Sequence, residues 1–306
     1  MPSVPMSIDS PWALIEAANQ AWRESHPQSP LHLYVLAEAG QDRLTWQRLL
    51  RYASQHLSLL GEQDNGASAV SPHLLDLGLV MQASAELQGA LAIPHPSPAF
   101  TLLTSPLSLG ELHAHLSQFT EVRLAGGIEM ILAFWDPAIL GTLVGQESDD
   151  SLHVAGPVFD PDQRQTLLAP LAGWWYCDRE ARWHGIRQTE NASALAMVHP
   201  ITLTQTQEDL LVEASVPDQV LYHLALNRPN LLDETKSHAM HHGFVKAVLG
   251  PARALGLTGM RDLVNFTALC LIYRRRMQTD PHILSLLDQV QQKTLTLDQA
   301  MPLMPE

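Results

Sequence analysis

The chain has 306 residues, of which 46% are hydrophobic and 16% are charged, and its formal net charge at pH 7 is -14. This composition is typical of a globular protein and excludes a disordered chain. The acidic balance argues against nucleic-acid binding, which needs basic surfaces. The N-terminus lacks the basic and apolar regions of a signal peptide, and the sequence holds no apolar run long enough to cross a membrane. We therefore expect a cytoplasmic protein that binds neither nucleic acid nor a membrane.

The charged residues are unevenly distributed along the chain. Residues 1–199 hold 9 Arg, no Lys and 21 acidic residues, whereas residues 200–306 hold 9 basic and 11 acidic residues. The corresponding net charges are -12 and -2, and all seven Trp precede residue 184. The length allows two lobes with separate cores, and the uneven composition indicates that their surfaces differ. Cys177 and Cys270 share no CxxC spacing, so neither a disulfide framework nor a zinc ribbon is expected.

The first 190 residues alternate predicted helices and strands. Helices are indicated by polar or proline N-caps with apolar residues at helical spacing, and strands by short apolar runs. In chain order these are a helix from Ser10, a strand at 31–36, a helix at 44–52, a strand at 56–60, a short element at 71–76 leading into a helix near 80–89, a strand at 100–103, a helix at 108–117, a helix from Asp160-Pro161 and an aromatic hairpin at 173–186. Because hairpins are interleaved with helices, we predict a mixed α/β, or α+β, lobe with a mixed sheet over residues 1–190.

The stretch 128–140 is predicted to be a strand that runs directly into a helix. Its apolar part, Ile128–Phe134, reads as a largely buried strand that forms a hairpin with residues 119–124. Phe134 and Trp135 are expected to be scaffold. Asp136 is expected to cap the helix that Pro137 begins, because its carboxylate can accept the free backbone N–H groups.

From about residue 200 the pattern is helical only. The predicted helices start at a capping box at 204–207, at Pro217, at Leu231, at Thr258, at Asp280-Pro281 and at Thr296, with the third closed by Gly250-Pro251 and the fourth ending at Met277. We predict an all-α bundle over residues 204–306, with the boundary between the lobes in residues 188–204.

Sequence motifs of catalysis are absent: there is no GxSxG, GxGxxG, Walker loop or HExxH. His238 and His242 are four residues apart and can share a helix face as metal ligands, with Glu234 one turn earlier. Ordinary exposed histidines are the more frequent explanation of such a pair. A metal-dependent hydrolase built on His238 and His242 is the alternative function. We predict no stoichiometric zinc, no cofactor and no catalytic residue.

Other polar and aromatic groups have structural interpretations. His113 and His115 are two apart on a helix and point to different sides. Asp149 and Asp150 read as a solvated loop, because no fixed partner is visible. The aromatic residues Trp174, Trp175 and Trp183 are more typical of a core than of a ligand pocket.

Several motifs recur in a characteristic order. They are a Leu-Tyr pair leading to an acidic turn, a proline-led apolar segment, an aromatic pair before Asp-Pro, a Gly-Pro, a Trp pair, and a small helical turn before an Asp-bearing helix. The residues are Leu33-Tyr-Val-Leu-Ala-Glu-Ala39, Ser71-Pro-His-Leu-Leu75, Phe134-Trp-Asp-Pro-Ala-Ile-Leu140, Gly156-Pro-Val158, Trp174-Trp175, Ala252-Arg-Ala-Leu-Gly-Leu-Thr258 and Arg261-Asp-Leu-Val-Asn-Phe266. Together they resemble the type VI secretion effector adaptor, or chaperone, family (domain of unknown function four-one-two-three) over most of residues 31–300.

This resemblance implies a non-enzymatic role. Members of the family are cytoplasmic adaptors that hold one toxin effector and help to load it onto the spike protein VgrG. A structural subunit of a secretion apparatus is a further alternative, and it would co-purify with the assembled particle.

The basic run Arg274, Arg275 and Arg276 is either a binding patch or a helix C-terminus favoured by the helix dipole, and the sequence supports both interpretations equally. The second half of the chain is less acidic and holds all three Lys. We hypothesise that the helical lobe, with the face of the α/β lobe turned toward it, binds the effector, and that the three arginines, Tyr273 and Lys246 contribute to that surface.

Overall fold

The protein divides into two compact units, Met1–Leu211 and Val212–Glu306. The computed structural model describes residues 11–38, 40, 42–61, 71–92, 100–186 and 197–305. The predicted fold class is confirmed, because the first unit combines helices with two sheets and the second unit is helical. The predicted cap at Ser10 and most of the predicted boundary segment lie outside the described residues. The limits that we predicted for the lobes, residues 190 and 204, stay predictions.

Two sheets organise the strands of the first unit. Within the described residues the strands are β1 (His32–Glu38), β2 (Gln55–Ser58), β3 (Pro72–Leu79), β4 (Phe100–Ser105), β5 (Glu121–Arg123), β6 (Glu129–Ile131), β7 (Gly173–Cys177), β8 (Trp183–Ile186) and β9 (Ile201–Thr202). The large sheet has the order β2-β3-β1-β4-β7-β8, and its neighbours are antiparallel. The small sheet has the order β6-β5-β9 and is mixed, because β9 runs parallel to β5. The sequence did not predict β9, which is only two residues long.

Helices cover both faces of the large sheet. The helices of this region are α1 (Pro11–Ser25), α2 (Arg43–Leu50), α3 (Ala85–Ala92), α4 (Leu109–Ser117), α5 (Pro137–Val144) and α6 (Pro161–Leu168). Alternate residues of the central strand β1 enter different cores: Tyr34 and Leu36 join α4, α5 and α6, whereas Leu33 and Val35 join α1, α2 and α3. All four are fully buried. A strand that is buried on both faces has apolar residues at consecutive positions, and this pattern allowed β1 to be predicted from the sequence.

The prediction of a buried strand at Ile128–Phe134 is wrong for its first half. The hairpin forms, but β6 covers only Glu129–Ile131, and Ile128, Met130 and Ile131 are exposed. The reason is topological, because β6 is an edge strand of the small sheet. Burial resumes at Leu132 and Phe134.

One long helix, α7 (Gln205–Asn227), contains the boundary between the two units. Its first turn is capped by Thr204, whose Oγ1 accepts from Gln207 N at 3.3 Å. Pro217 was expected to begin a helix but lies inside α7. Val216 and Val220, on either side of Pro217, are buried in the core of the second unit. This packing stabilises the helix where Pro217 removes a backbone hydrogen bond.

The second unit continues with helices around one apolar core. They are α8 (His238–Ala254), α9 (Met260–Tyr273), α10 (Arg276–Thr279), α11 (Pro281–Gln291) and α12 (Leu297–Ala300). The predicted helix at 231–249 is shifted, because Ser237 caps α8 and Pro251 lies inside it. Gly259, not Thr258, occupies the N-cap position of α9, and Arg274 ends α9 before Met277 with a positive φ of 47°. Among the described residues, no helix has both the length and the apolarity that crossing a bilayer requires.

Candidate protein-binding surface

A groove of about 400 Å³ lies on the second unit, between the C-terminal part of α7 and the first half of α9. Its lining consists of His223, Leu224, Asn227, Arg228, Met260, Arg261, Val264, Asn265 and Ala268. Leu224 and Ala268 are buried core residues, so the floor is apolar. The polar side chains His223, Asn227 and Asn265 belong to the same lining. An apolar floor with a few polar groups is suited to a side chain or a short amphipathic segment.

Two large hydrophobic side chains are exposed on α7 outside the lining of this groove. Tyr222 and Leu226 are each 65% exposed, and they immediately precede the groove residues His223 and Asn227. Their spacing of four residues places them on the same helix face. Exposed aromatic and aliphatic groups on one helix face are residue types that can anchor a bound partner.

The groove carries two arginines and one nearby carboxylate. Arg261 Nη2 lies 2.7 Å from Asp298 Oδ2, and Asn265 Nδ2 donates to Asp298 Oδ1 at 3.1 Å. Arg228 is exposed at the end of α7. The lining therefore holds two basic residues, of which Arg261 is paired with Asp298. Residues 212–306 as a whole hold 9 basic and 9 acidic residues, whereas residues 1–211 hold 9 basic and 23 acidic residues and therefore carry the entire net charge of -14.

The predicted basic residues lie elsewhere on the second unit and do not line the groove. Arg274 and Arg275 are exposed in the turn between α9 and α10. Arg276 is held within the unit, with Nη2 at 3.2 Å from Asp280 Oδ2 and its guanidinium carbon 5.5 Å from the centre of the Tyr273 ring. The Tyr273 hydroxyl donates to the carbonyl of Pro305 at 2.8 Å.

Lys246, the fifth residue predicted for this surface, is half-buried in the middle of α8. It lies neither in the turn at 274–276 nor in the lining of the groove. The structure therefore brings Tyr273 and Arg276 together, whereas Lys246 lies on a different helix. Arg261, Val264 and Asn265 of the groove belong to the motif at 261–266, which was quoted for the family resemblance and not as a binding surface. Tyr222 and Leu226 were not singled out, because an exposed Tyr or Leu on a helix gives no pattern that differs from a core residue.

The strand-to-helix junction belongs to the interior of the first unit. Asp136 Oδ1 accepts from the backbone N–H of Ala138 at 2.8 Å and of Ile139 at 3.1 Å, and Pro137 is the first residue of α5. Phe134 and Trp135 are buried. Trp135 Nε1 donates to Glu38 Oε2 at 3.1 Å, which ties the junction to the end of β1. These contacts make the junction a packing element.

A buried polar network joins β7, β8 and the loop before them. Asp149 is only 3% exposed, so the prediction of a solvated loop is wrong for it, whereas the neighbouring Asp150 has an 84% exposed side chain. The Tyr176 hydroxyl donates to Asp149 Oδ2 at 2.9 Å. His184 Nε2 and Arg182 Nε lie 2.9 Å and 2.8 Å from Asp178 Oδ2.

Burial, charges and hydrogen bonds in this network shift the pKa values of Asp178 and Tyr176. Burial alone would raise the pKa of Asp178, but hydrogen bonds from His184 and from the backbone and side chain of Arg182 lower it to about 2. Burial, followed by the charge of Asp149, raises the pKa of Tyr176, so this phenol stays protonated. Asp178 therefore remains a carboxylate and Tyr176 a donor at all pH values near neutrality.

Among the residues that the structure describes, three side chains of this network have the spacing of metal ligands. Ligating atoms of Asp149, Asp178 and His184 lie within 4.8 Å of one another. The guanidinium of Arg182 already donates to the Asp178 oxygen that faces His184, and its positive charge disfavours a cation at that point. The arrangement is a satisfied structural network that fixes the β7–β8 hairpin.

The His-rich helix does not assemble a comparable group among the described residues. His242 is buried, with Nε2 at 3.8 Å from Asp218 Oδ2 on α7, whereas His238 and Glu234 are exposed. His241 Nε2 lies 3.0 Å from the carbonyl of Asp233. The geometry of this helix gives no support to a metal-dependent hydrolase.

The remaining polar candidates have packing roles. His113 Nε2 lies 2.7 Å from the carbonyl of Ser58, and His115 Nε2 lies 3.1 Å from the carbonyl of Leu167. The aromatic residues Trp174 and Trp175 are buried on opposite faces of the large sheet, one in each core.

Comparison with known proteins gives one positive finding. No curated protein and no solved structure matches the chain. The family match begins in β1 and ends in the loop after α5, so it includes the first three predicted motifs and not the Gly-Pro, Trp-pair and helical motifs. The predicted resemblance is confirmed over this range: residues 33–153 match the family described as Domain of unknown function (DUF4123), which is associated with type VI secretion effector adaptors.

Proposed function

We propose that the protein is a non-enzymatic cytoplasmic adaptor, or chaperone, that binds a specific toxin effector and promotes its loading onto the VgrG spike of a type VI secretion system. The observation that carries this proposal is the family match over residues 33–153, because the family is associated with effector adaptors. The matched segment contains the buried junction at Phe134–Pro137, which supports a scaffold role for this part of the chain.

The effector-binding surface that we propose is the groove between α7 and α9. Tyr222 and Leu226 supply apolar anchors, and Arg228 supplies a cation at the same end of α7. Such a surface fits an amphipathic segment of the effector with apolar residues on one side and acidic residues at the edge. The neutral second unit admits an acidic segment, whereas the acidic first unit repels it.

Binding is tested by co-expressing the tagged protein with the candidate effector and measuring co-purification and the dissociation constant. Leu226→Asp is expected to weaken effector binding at least about tenfold, because it replaces a proposed apolar anchor on α7 with a carboxylate. Leu284→Asp is the matched control, since Leu284 is an exposed leucine on α11 of the same unit that does not line the groove. Equal losses in the two variants would show that the groove is not the binding surface.

Loading is tested in cells that lack the protein. The effector is expected to disappear from the secreted fraction while a second effector that uses another carrier is still secreted. An adaptor remains in the producing cell, so the secreted particles should contain VgrG and the effector without this protein. Stoichiometric recovery of the protein with the secreted particle would instead identify a structural subunit.

A further inference from the structure

The β5–β6 hairpin carries exposed apolar side chains that the sequence predicted to be buried. Ile128, Met130 and Ile131 are 67%, 50% and 56% exposed. They belong to the first unit, so this surface is separate from the groove on α7 and α9. Two of the three residues of β6, Met130 and Ile131, are hydrophobic and exposed, and Ile128 is exposed just before the strand, whereas every residue of the central strand β4 is buried.

The backbone of β6 offers hydrogen-bonding groups on its outer side. Leu124 N donates to the carbonyl of Ile128 at 2.8 Å, and Leu132 N donates to the carbonyl of Thr120 at 2.9 Å. These bonds and the pairing of Val122 with Met130 fix which residues of β6 bond to β5. In an antiparallel pair the intervening residues point their N–H and C=O groups away from the partner strand. Those residues are Glu129 and Ile131.

The outer edge of β6 has little of the protection that edge strands usually carry. Its position in the order β6-β5-β9 leaves it with a strand on one side only among the described residues. Edges are usually blocked by lysine, proline, a bulge or an inward-pointing charge. The one charged residue of β6, Glu129, is paired with Arg123 of β5 at 2.6 Å. An edge with one methionine, one isoleucine and a glutamate that is paired within the hairpin is suited to accept another strand.

We infer that the β6 edge binds an extended, basic and apolar segment of a partner protein by strand addition. The outward N–H and C=O groups of Glu129 and Ile131 would pair with the backbone of that segment, and alternate side chains would lie beside Met130 and Ile131. A basic residue fits next to the exposed Glu121, which pairs with Ile131 and lies on the same face of the hairpin. The first unit, with 9 basic and 23 acidic residues in 1–211, attracts a basic segment.

The charge also argues against a second copy of this chain as the occupant. Pairing two β6 edges would bring together two first units with a charge of -14 each. The partner recognised here differs in chemistry from the acidic amphipathic segment proposed for the α7–α9 groove. The inference therefore goes beyond the effector-binding proposal and does not depend on it.

The test uses the full-length protein and a short acetylated, amidated peptide of alternating Val and Lys, labelled for fluorescence anisotropy. Replacing Lys by Glu in the peptide, or Val by Pro at its centre, is expected to weaken binding at least about tenfold, because the first change reverses the charge and the second removes strand pairing. In hydrogen exchange, the peptide should protect the amides of Glu129 and Ile131. Equal binding of the Pro peptide, or unchanged exchange at both amides, overturns the proposal.

Two variants locate the site. Ile131→Lys is expected to weaken peptide binding at least about tenfold, since an edge lysine opposes both the apolar contact and the basic ligand. Leu44→Lys is the matched control, because Leu44 is an exposed leucine on α2 of the same unit, and it should change binding less than about twofold. Ile131→Pro removes only an outward-facing N–H and should also abolish binding. Unchanged binding in both Ile131 variants, or sedimentation showing a dimer of this chain that Ile131→Lys disrupts, refutes the assignment.

Discussion

Replacing Asp178 by Asn tests whether the buried polar network stabilises the first unit. Asp178 accepts from the side chains of Arg182 and His184 and from the backbone N–H groups of Glu180 and Arg182. The amide of Asn keeps an acceptor for the backbone groups. Its N–H₂ group, however, would face donors where the second carboxylate oxygen stood. The variant therefore loses a charge and leaves buried donors without an acceptor.

The magnitude follows from the pKa and the hydrogen bonds. The pKa of Asp178 is about 2 in the folded protein against an ordinary value of 3.8, which corresponds to about 2 kcal/mol of stability at pH 7. With the unsatisfied donors, we expect Asp178→Asn to lower the free energy of unfolding by about 3 kcal/mol. Because the folded pKa is depressed, the charge contribution is complete above about pH 4 and is lost as the pH falls toward 2.

Denaturant unfolding followed by tryptophan fluorescence measures this loss in the first unit, because all seven Trp precede residue 184. The control is Asp150→Asn, which alters an exposed carboxylate 4.0 Å from Arg182 and should cost less than about 0.5 kcal/mol. The difference between wild type and Asp178→Asn should shrink between pH 5 and pH 3. A loss below about 0.5 kcal/mol at pH 7, or a loss independent of pH in this range, would refute the role of the network.

Three further predictions concern the first unit. Asp136→Ala should cost about 1 kcal/mol by removing the N-cap of α5, and loss of effector binding with unchanged stability would make Asp136 a contact residue instead. Gly156→Ala should lower the free energy of unfolding by at least about 3 kcal/mol, because its φ is 76° and an added Cβ would overlap the carbonyl of Thr142. The control Gly127→Ala, where φ is 83° and the space is open, should cost about 1 kcal/mol, and equal losses would contradict this reasoning. Burial lowers the pKa of His115 below 6.5, so unfolding takes up a proton and the free energy of unfolding should fall as the pH drops below about 6.5. His115→Gln should reduce this dependence of stability on pH in denaturant titrations, and an unchanged dependence would exclude His115 as its source.

The sequence predicted the large elements of the fold because their patterns have one physical cause. Burial on both faces makes β1 apolar at consecutive positions, and Asp136-Pro137 and Asp160-Pro161 satisfy the first N–H groups of α5 and α6. These patterns are local, so each can be recognised from the residues of a single helix or strand. Pro217 was misread for the same reason, since only the surrounding core shows that the helix continues through it.

The surfaces were not predictable, because exposure depends on neighbours that are distant in the sequence. Met130 and Ile131 have the composition of a buried strand, yet the pairing of β5 with β9 places β6 at the edge. Asp149 has the composition of a solvated loop, yet Tyr176, 27 residues later, buries it and donates to it. A local pattern predicts that a residue pairs or packs, whereas tertiary contacts decide whether its remaining face meets protein or solvent.

Substitutions in the basic turn between α9 and α10 can distinguish an effect on effector association from an effect on stability, because the arginines of this turn differ in their contacts. Arg275 and Arg276 are both exposed, but Arg276 is bound to Asp280, the N-cap of α11, and lies over the Tyr273 ring. Arg276→Glu should therefore lower the thermal stability of the second unit by about 1 kcal/mol, with repulsion from Asp280 and loss of the ring contact. Arg275→Glu should change stability by less than about 0.5 kcal/mol, since it is a substitution on the exposed surface.

Circular dichroism at the helical bands measures this difference, because the second unit is helical and contains no Trp. If the basic turn steers an acidic effector segment, both substitutions should slow association several-fold at low salt, with the effect fading as salt screens the charges. Dissociation should change little, because the anchors lie at Tyr222 and Leu226. An association rate that Arg275→Glu leaves unchanged at low salt would remove the basic turn from the binding surface and leave Arg276 with a structural role only.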